Sequence, residues 1–179
     1  HRLHGGLLAI RENTGHMKAM KQQGFETIDL VVVNLYPFET TLAQGKATFD
    51  EMIEQIDIGG PSMLRSAAKN HQFVLPVVDP NDYDRVLEAL SEDGVSSELR
   101  VELAAKVFAH TAAYDAAIAQ FLGKDEETLP AMMGLALERV QVLRYGENPY
   151  QRAALYTTGE GRGFDGLRQL HGKALSFNN

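Results

Sequence analysis

The 179-residue sequence contains no cysteine. That absence removes disulfides, thiolate nucleophiles and cysteine-ligated zinc together, and it is compatible with a reducing cytoplasm, the compartment expected for this chain. Positive charge is scarce as well: 17 Lys and Arg stand against 24 Asp and Glu, a net charge of -7. Broad nucleic-acid binding needs a basic surface that displaces counterions, so none is expected, and an anionic ligand must be held by local cations. No apolar run approaches the roughly 20 residues that span a bilayer, so no membrane partner is expected, and no signal peptide is visible. Tandem repeats and low-complexity tracts are also missing. The six histidines are scattered; His1 and His4 have HxxH spacing but no third ligand nearby, and no metal site is expected.

What is present is ordinary globular composition, 44% hydrophobic and 23% charged. The length suits one domain of about 100 to 150 residues plus a remainder. The chain opens on His1 and stops at Asn178-Asn179, and the expectation is an internal piece cut at both ends.

His1 to Gly6 reads as a loop feeding the short apolar element Leu7-Leu8-Ala9-Ile10. Thr14 precedes a short helix that should end at Gly24, a residue suited to the left-handed C′ position. Ile28 to Val33 is continuous and β-branched, as in a parallel strand buried on both faces. Ligands in open α/β sheets bind beyond the carboxyl ends of strands, which puts Asn34 and Tyr36 where chemistry is expected. Thr48 and Glu51 have capping-box spacing and start a helix to about Gln55. Asp57-Ile58-Gly59-Gly60-Pro61 is a turn whose glycines permit unusual backbone angles and whose proline suits the first helical position. In the helix that follows, Ser62 to about Asn70, residues Ser62, Arg65, Ser66 and Lys69 share one polar stripe.

Phe73 to Val78 reads as a second buried strand broken by Pro76, Asp79-Pro80 caps a helix through Leu90, and Ser96 or Ser97 opens an Ala-rich helix ending near Gly123. This alternation is the signature of α/β layers. The texture changes beyond Lys124-Asp125-Glu126-Glu127-Thr128. Val140 to Leu143 alternates, Arg144 to Pro149 is turn-like, and Ala153 to Tyr156 reads as a strand, so a domain boundary is expected between Pro130 and Glu138.

Five patterns occur in register along the chain: His4-Gly5-Gly6, Val33-Asn34-Leu35-Tyr36-Pro37-Phe38, Ile56-Asp57-Ile58-Gly59-Gly60-Pro61, Ala67-Ala68-Lys69-Asn70-His71 and Arg144-Tyr145-Gly146-Glu147-Asn148-Pro149. Together they resemble the AICAR transformylase/IMP cyclohydrolase family of purine biosynthesis. Gly172 to Asn179 resembles an early stretch of that family's transformylase domain.

The resemblance implies an α/β fold: a methylglyoxal-synthase-like parallel-sheet cyclohydrolase domain over residues 1–136, then the start of a transformylase domain with a cytidine-deaminase-like core over 137–179. It implies a homodimer acting on AICAR, formyl-AICAR and IMP, with 10-formyltetrahydrofolate as co-substrate of the transformylase and no cofactor for the cyclohydrolase. It also implies that the family's Lys-Thr pair precedes the His4-Gly5-Gly6 segment and that its catalytic Lys-His pair follows Asn179, so the chemistry is expected of a longer parent protein.

Ring closure asks a carboxamide nitrogen, a poor nucleophile, to attack a formyl carbon. The positions matching the family site are Asp57, Lys69 and Tyr36, with Val33 and Asn34 beside them. Asp57 is expected to orient and polarise the carboxamide N–H, Lys69 to stabilise the oxyanion and help protonate the departing hydroxyl, and Tyr36 to share proton transfer. The backbone N–H groups of Ile58, Gly59 and Gly60 are expected to receive negative charge. Arg144 and Tyr145 match positions that contact the AICAR nucleotide, where a guanidinium fits phosphate and a tyrosine packs on a base.

Each residue also has a plainer reading. Asp57 suits a turn or cap, Asn34 an Asx turn, Tyr36 a packed strand-end aromatic, and Arg144 and Tyr145 a linker arginine and a buried tyrosine. Arg65 and Lys69 suit a solvated helix face, which is the favoured reading of Arg65. Two whole-chain rivals are a phosphate- or nucleotide-sensing module without turnover and methylglyoxal synthase itself; the second leaves everything from Arg144 onward unexplained.

Overall fold

The computed structural model describes residues 1–91, 94–123, 130–158 and 168–178. The chain divides into two compact units, His1–Thr128 and Leu129–Asn179.

The first unit begins with a helix where the sequence suggested a loop: α1 spans Arg2–Leu8 and includes both glycines. Tertiary packing overrides their poor helix propensity. A Cβ on Gly5 would stand 2.9 Å from the Phe25 ring, and one on Gly6 would stand 2.6 Å from the carbonyl oxygen of Glu26, so small residues let the chain return close beside this helix. Helix α2, Thr14–Gln23, is capped by the Asn13 side chain and closed by Gly24 at φ 63°.

Strand β1 covers only Leu30–Val32, and β2 covers Leu75–Val77; they pair in parallel, with Val31 opposite Pro76. Pro76 therefore sits inside the strand rather than breaking it. The neighbouring Leu75 N–H donates to Asp29 O across the ladder at 2.8 Å, so the alternate residue, which lacks an N–H, faces away from β1. Burial of β1 on both faces is not observed. Val31 packs into the core, whereas Leu30 and Val32 are 39% and 48% exposed, because the helices among the described residues cover one side of the strand.

Between the strands lie α3 (Phe38–Gln44), α4 (Phe49–Glu54, with the Thr48/Glu51 capping box) and α5 (Gly59–Lys69). A 3₁₀ turn at Pro80–Asp82, α6 (Tyr83–Ser91) and α7 (Ser97–Leu122, capped by Ser96) complete the unit. The core forms where α5 and α7 meet the sheet: Leu64, Ala68, Val78, Ala104 and Val107 are buried against Val31, Val33 and Leu35. Burying a side chain such as Leu64 contributes roughly 1.5–3 kcal/mol.

In the second unit, β3 (Glu138–Val142) and β4 (Ala154–Thr157) form an antiparallel pair whose register shifts between Arg139 and Gln141. The change of texture expected at Lys124 to Thr128 and the position Asn179 lie outside the described residues.

Candidate active site

The segment leaving β1 continues the strand's period of two. Val33 and Leu35 turn partly inward, and Asn34 and Tyr36 turn outward, Tyr36 with 55% of its surface exposed. The segment is fixed by Phe38, which is fully buried and meets the rings of Tyr114 and Phe121 edge-on at centroid distances of 6.1 and 5.7 Å.

The second wall comes from the turn into α5. The expectation of a glycine turn followed by a helix at Ser62 is corrected here, since Gly59 and Gly60 are themselves the first helical residues and neither has a positive φ. Their smallness serves close approach instead. A Cβ on Gly60 would stand 2.5 Å from Asp57 Oδ2 and 2.8 Å from Leu35 Cδ2, whereas one on Gly59 would meet nothing within 4 Å. Gly60 N–H donates to Asp57 Oδ1 at 2.7 Å, which makes the carboxylate an anchor of the helix start.

These two walls border an open cavity of about 670 Å³ at the carboxyl end of β1, lined by Val33, Asn34, Tyr36, Ile53, Glu54, Ile56, Asp57, Ile58, Gly59, Gly60 and Met63. That volume falls in the range of small-molecule sites, about 300–1,000 Å³. Seven positions singled out from the sequence thus meet in one place: Val33, Asn34, Tyr36, Asp57, Ile58, Gly59 and Gly60. Ile56 belongs to one of the sequence patterns without an expected role, and Ile53, Glu54 and Met63 lie outside them. Glu54 ends α4 three residues before Asp57, and the tight turn between α4 and α5 brings both residues to the same cavity. The lining holds two carboxylates and no Lys or Arg.

Lys69 is not brought there. It is the last residue of α5, exposed, and outside the lining. At 1.5 Å per residue its Cα lies roughly 15 Å along the axis from that of Gly59. The expected convergence of Asp57 and Lys69 on one pocket is therefore absent in this chain, because the helix that joins them also holds them apart. The rest of the polar stripe is engaged elsewhere: His4 Nδ1 and Nε2 lie 3.1 and 3.3 Å from the hydroxyls of Ser66 and Ser62, and the Arg65 guanidinium sits 5.5 Å from the centroid of the Phe108 ring. His71 closes the helix, its Nδ1 3.0 Å from Ala68 O.

In the second unit, the Arg144 guanidinium lies 4.8 Å from the centroid of the Tyr145 ring and donates to its hydroxyl at 3.1 Å. Arg144 N–H donates to Leu175 O and Phe177 N–H donates to Tyr145 O, so the two motif segments run side by side. A hydrogen bond with Ser176, together with the Arg144 charge, lowers the Tyr145 phenol below its ordinary range. Among the described residues no cluster of three or more His, Asp or Glu is arranged to hold a metal ion, and no helix is long and apolar enough to cross a membrane.

An α/β unit with an open cavity at the end of a parallel strand, followed by a separate antiparallel unit, defines a two-part chain whose candidate site lies in its first part. A family model described as MGS-like domain matches residues 3–62, and one described as AICARFT/IMPCHase bienzyme matches residues 67–179. The chain belongs to the AICARFT/IMPCHase bienzyme family. Over 99% of its length it is 51% identical to the bifunctional purine biosynthesis protein PurH of a Thermoanaerobacter species and 54% identical to that of Lactiplantibacillus plantarum. It spans 36% and 35% of those proteins, about a third of each. A solved structure described as that of ForH aligns with a TM-score of 0.59 and 38% identity, covering 68% of this chain and 63% of that one. The match over residues 67–179 disfavours readings that account for the methylglyoxal-synthase-like part alone.

Proposed function

We propose that the full-length protein carries out the two family reactions of purine nucleotide synthesis: formyl transfer from 10-formyltetrahydrofolate to AICAR, and closure of formyl-AICAR to IMP with loss of water. Residues 1–136 are assigned to the cyclohydrolase domain and 137–179 to the beginning of a transformylase domain with a cytidine-deaminase-like core. The protein is assigned to the cytoplasm as a homodimer. The observation that carries the cyclohydrolase assignment is the meeting of Asn34, Tyr36, Asp57 and the Ile58–Gly60 backbone around one open cavity.

In ring closure the carboxamide nitrogen attacks the formyl carbon and gives up a proton. The tetrahedral carbon then loses its hydroxyl as water while the formamide nitrogen gives up its proton and forms the C=N bond, the former carboxamide nitrogen keeping its remaining N–H. Asp57, with Oδ1 occupied by Gly60 N–H, is assigned to polarise the attacking N–H. Tyr36, exposed at the rim, is assigned to proton exchange with the departing hydroxyl, and Val33 and Asn34 to ligand contact. The start of α5 is assigned to offer the Ile58 and Gly59 amides to negative charge, whereas the Gly60 amide expected to share that role is already engaged by Asp57 Oδ1. Lys69 enters through the resemblance alone. As the cation for the oxyanion it must be brought to the cavity by ligand binding or by a second copy of the chain. Arg144 and Tyr145 are assigned to the AICAR nucleotide in the transformylase half.

Incubation of the full-length protein with formyl-AICAR should produce IMP. Asp57→Asn should slow that step by about 10² or more while ligand still binds. A wild-type protein that binds formyl-AICAR without producing IMP overturns the enzyme reading in favour of a sensor.

A further inference from the structure

Tyr114 lies on α7, far from the cavity in sequence and outside its lining. The residue is 3% exposed and its ring packs edge-on against Phe38, but its hydroxyl ends at the turn that carries Asp57. The hydroxyl oxygen accepts from Asp57 N–H at 2.8 Å, and the hydroxyl donates to Gln55 O at 2.7 Å. Both are good distances for such bonds. One buried group thus clamps both ends of the Gln55–Asp57 turn, separately from the carboxylate's own bond to Gly60 N–H. Burial raises the phenol above its ordinary range, which keeps the proton the Gln55 bond requires.

From this geometry we infer that Tyr114 is a positioning residue for the ring-closing step, fixing the Asp57 backbone so that its carboxylate is presented to the cavity at a set height above the start of α5. The inference rests on the assignment of Asp57 given above. The turn between α4 and α5 is short, and the capping bond from Gly60 constrains only the carboxylate end of Asp57. Without the hydroxyl, the Asp57 N–H and Gln55 C=O lose their shared partner and the turn is free to shift, and a displacement near 1 Å of a catalytic group costs up to about 10² in rate.

Tyr114→Phe in the full-length protein keeps the ring packing and removes only the hydroxyl. The expected result is a roughly 10- to 100-fold lower kcat for conversion of formyl-AICAR to IMP, with KM changed much less and formyl transfer to AICAR unchanged. In an Asp57→Asn background the same substitution should cost less than about threefold, since a residue acting through Asp57 has little left to act on. Phe121→Leu, which disturbs the same aromatic cluster without touching the hydroxyl, should lower Tm but leave cyclisation near wild type. Equal losses from Tyr114→Phe in both backgrounds, or a cyclisation loss from Phe121→Leu as large as that from Tyr114→Phe, would overturn the positioning role. If Tyr114→Phe does not fold, hydrogen exchange at the Asp57 amide of the wild-type protein decides: strong protection supports the clamp, and exchange at the rate of an unstructured peptide overturns it. A wild-type protein that makes no IMP refutes the underlying assignment instead, so the two failures are distinguishable.

Discussion

The two ends of α5 carry equally specific sequence patterns and do different work. At the N-terminal end, Asp57, Gly59 and Gly60 crowd against the segment after β1 and build a cavity wall. At the C-terminal end, the Asn70 amide donates to Leu7 O and Ala9 O at 2.8 and 3.2 Å, stitching α5 to α1, while Lys69 stands in solvent. A motif marks a constrained position, and only its surroundings tell whether the constraint is a ligand or the fold.

The largest effect that separates the two ends concerns Lys69→Ala. Its exposed side chain makes no hydrogen bond or ion pair among the described residues, so Tm should stay within about 1 °C. Cyclisation of formyl-AICAR should nonetheless fall by about 10² or more, as the oxyanion role requires. Unchanged turnover would remove Lys69 from the reaction and leave the chemistry at the N-terminal end alone.

Gly60→Ala against Gly59→Ala sharpens the contrast within one turn of helix. The Gly60 methyl must displace the Asp57 carboxylate or Leu35, at a cost of about 1–3 kcal/mol in chemical denaturation and at least tenfold in cyclisation. The Gly59 methyl meets open space, so stability should hold or rise by up to about 1 kcal/mol. A rise in KM for Gly59→Ala would mean that ligand occupies that space; a KM equal to wild type would place the ligand elsewhere in the cavity.

At the other end, Asn70→Ala should leave the Leu7 and Ala9 carbonyls without their shared donor and cost about 1–3 kcal/mol, with kcat for cyclisation unchanged in the folded fraction. A selective loss of kcat would erase the distinction between the two ends.

The smallest effect is a pH dependence remote from both. Hydrogen bonding from Lys106, 2.6 Å away, and from the Asn81 N–H lowers the Asp79 carboxyl from its ordinary 3.8. A depressed carboxylate adds stability above its unfolded value and loses it as pH falls through the folded one, so the contribution should fade below about pH 4. Asp79→Asn should flatten that part of the acid limb in a stability-versus-pH series; an unchanged slope would assign the acid sensitivity to other carboxylates.

Much of the framework is legible in local chemistry. Gly24 ends α2, Thr48 with Glu51 starts α4, and Ser96 opens α7, because each cap is settled by residues within a few positions of one another. The misreadings fall where distant neighbours decide. Gly5 and Gly6 are helical because residues 25 and 26 pass close beside them, and Pro76 is accommodated within a strand because β1 lies on the side where its missing N–H is not needed.

The candidate site divides the same way. The sequence by itself determined that Asn34 and Tyr36 follow a β-branched strand and that Asp57 precedes a glycine pair, since strand period and helix-start chemistry are local. Tertiary structure alone decided that these segments face one another, that Glu54 joins them, that Tyr114 reaches them from the far helix, and that Lys69 does not. The physical reason is that an α-helix transmits distance as rigidly as it transmits order: a spacing that looks short along the chain separates two side chains by most of the helix length.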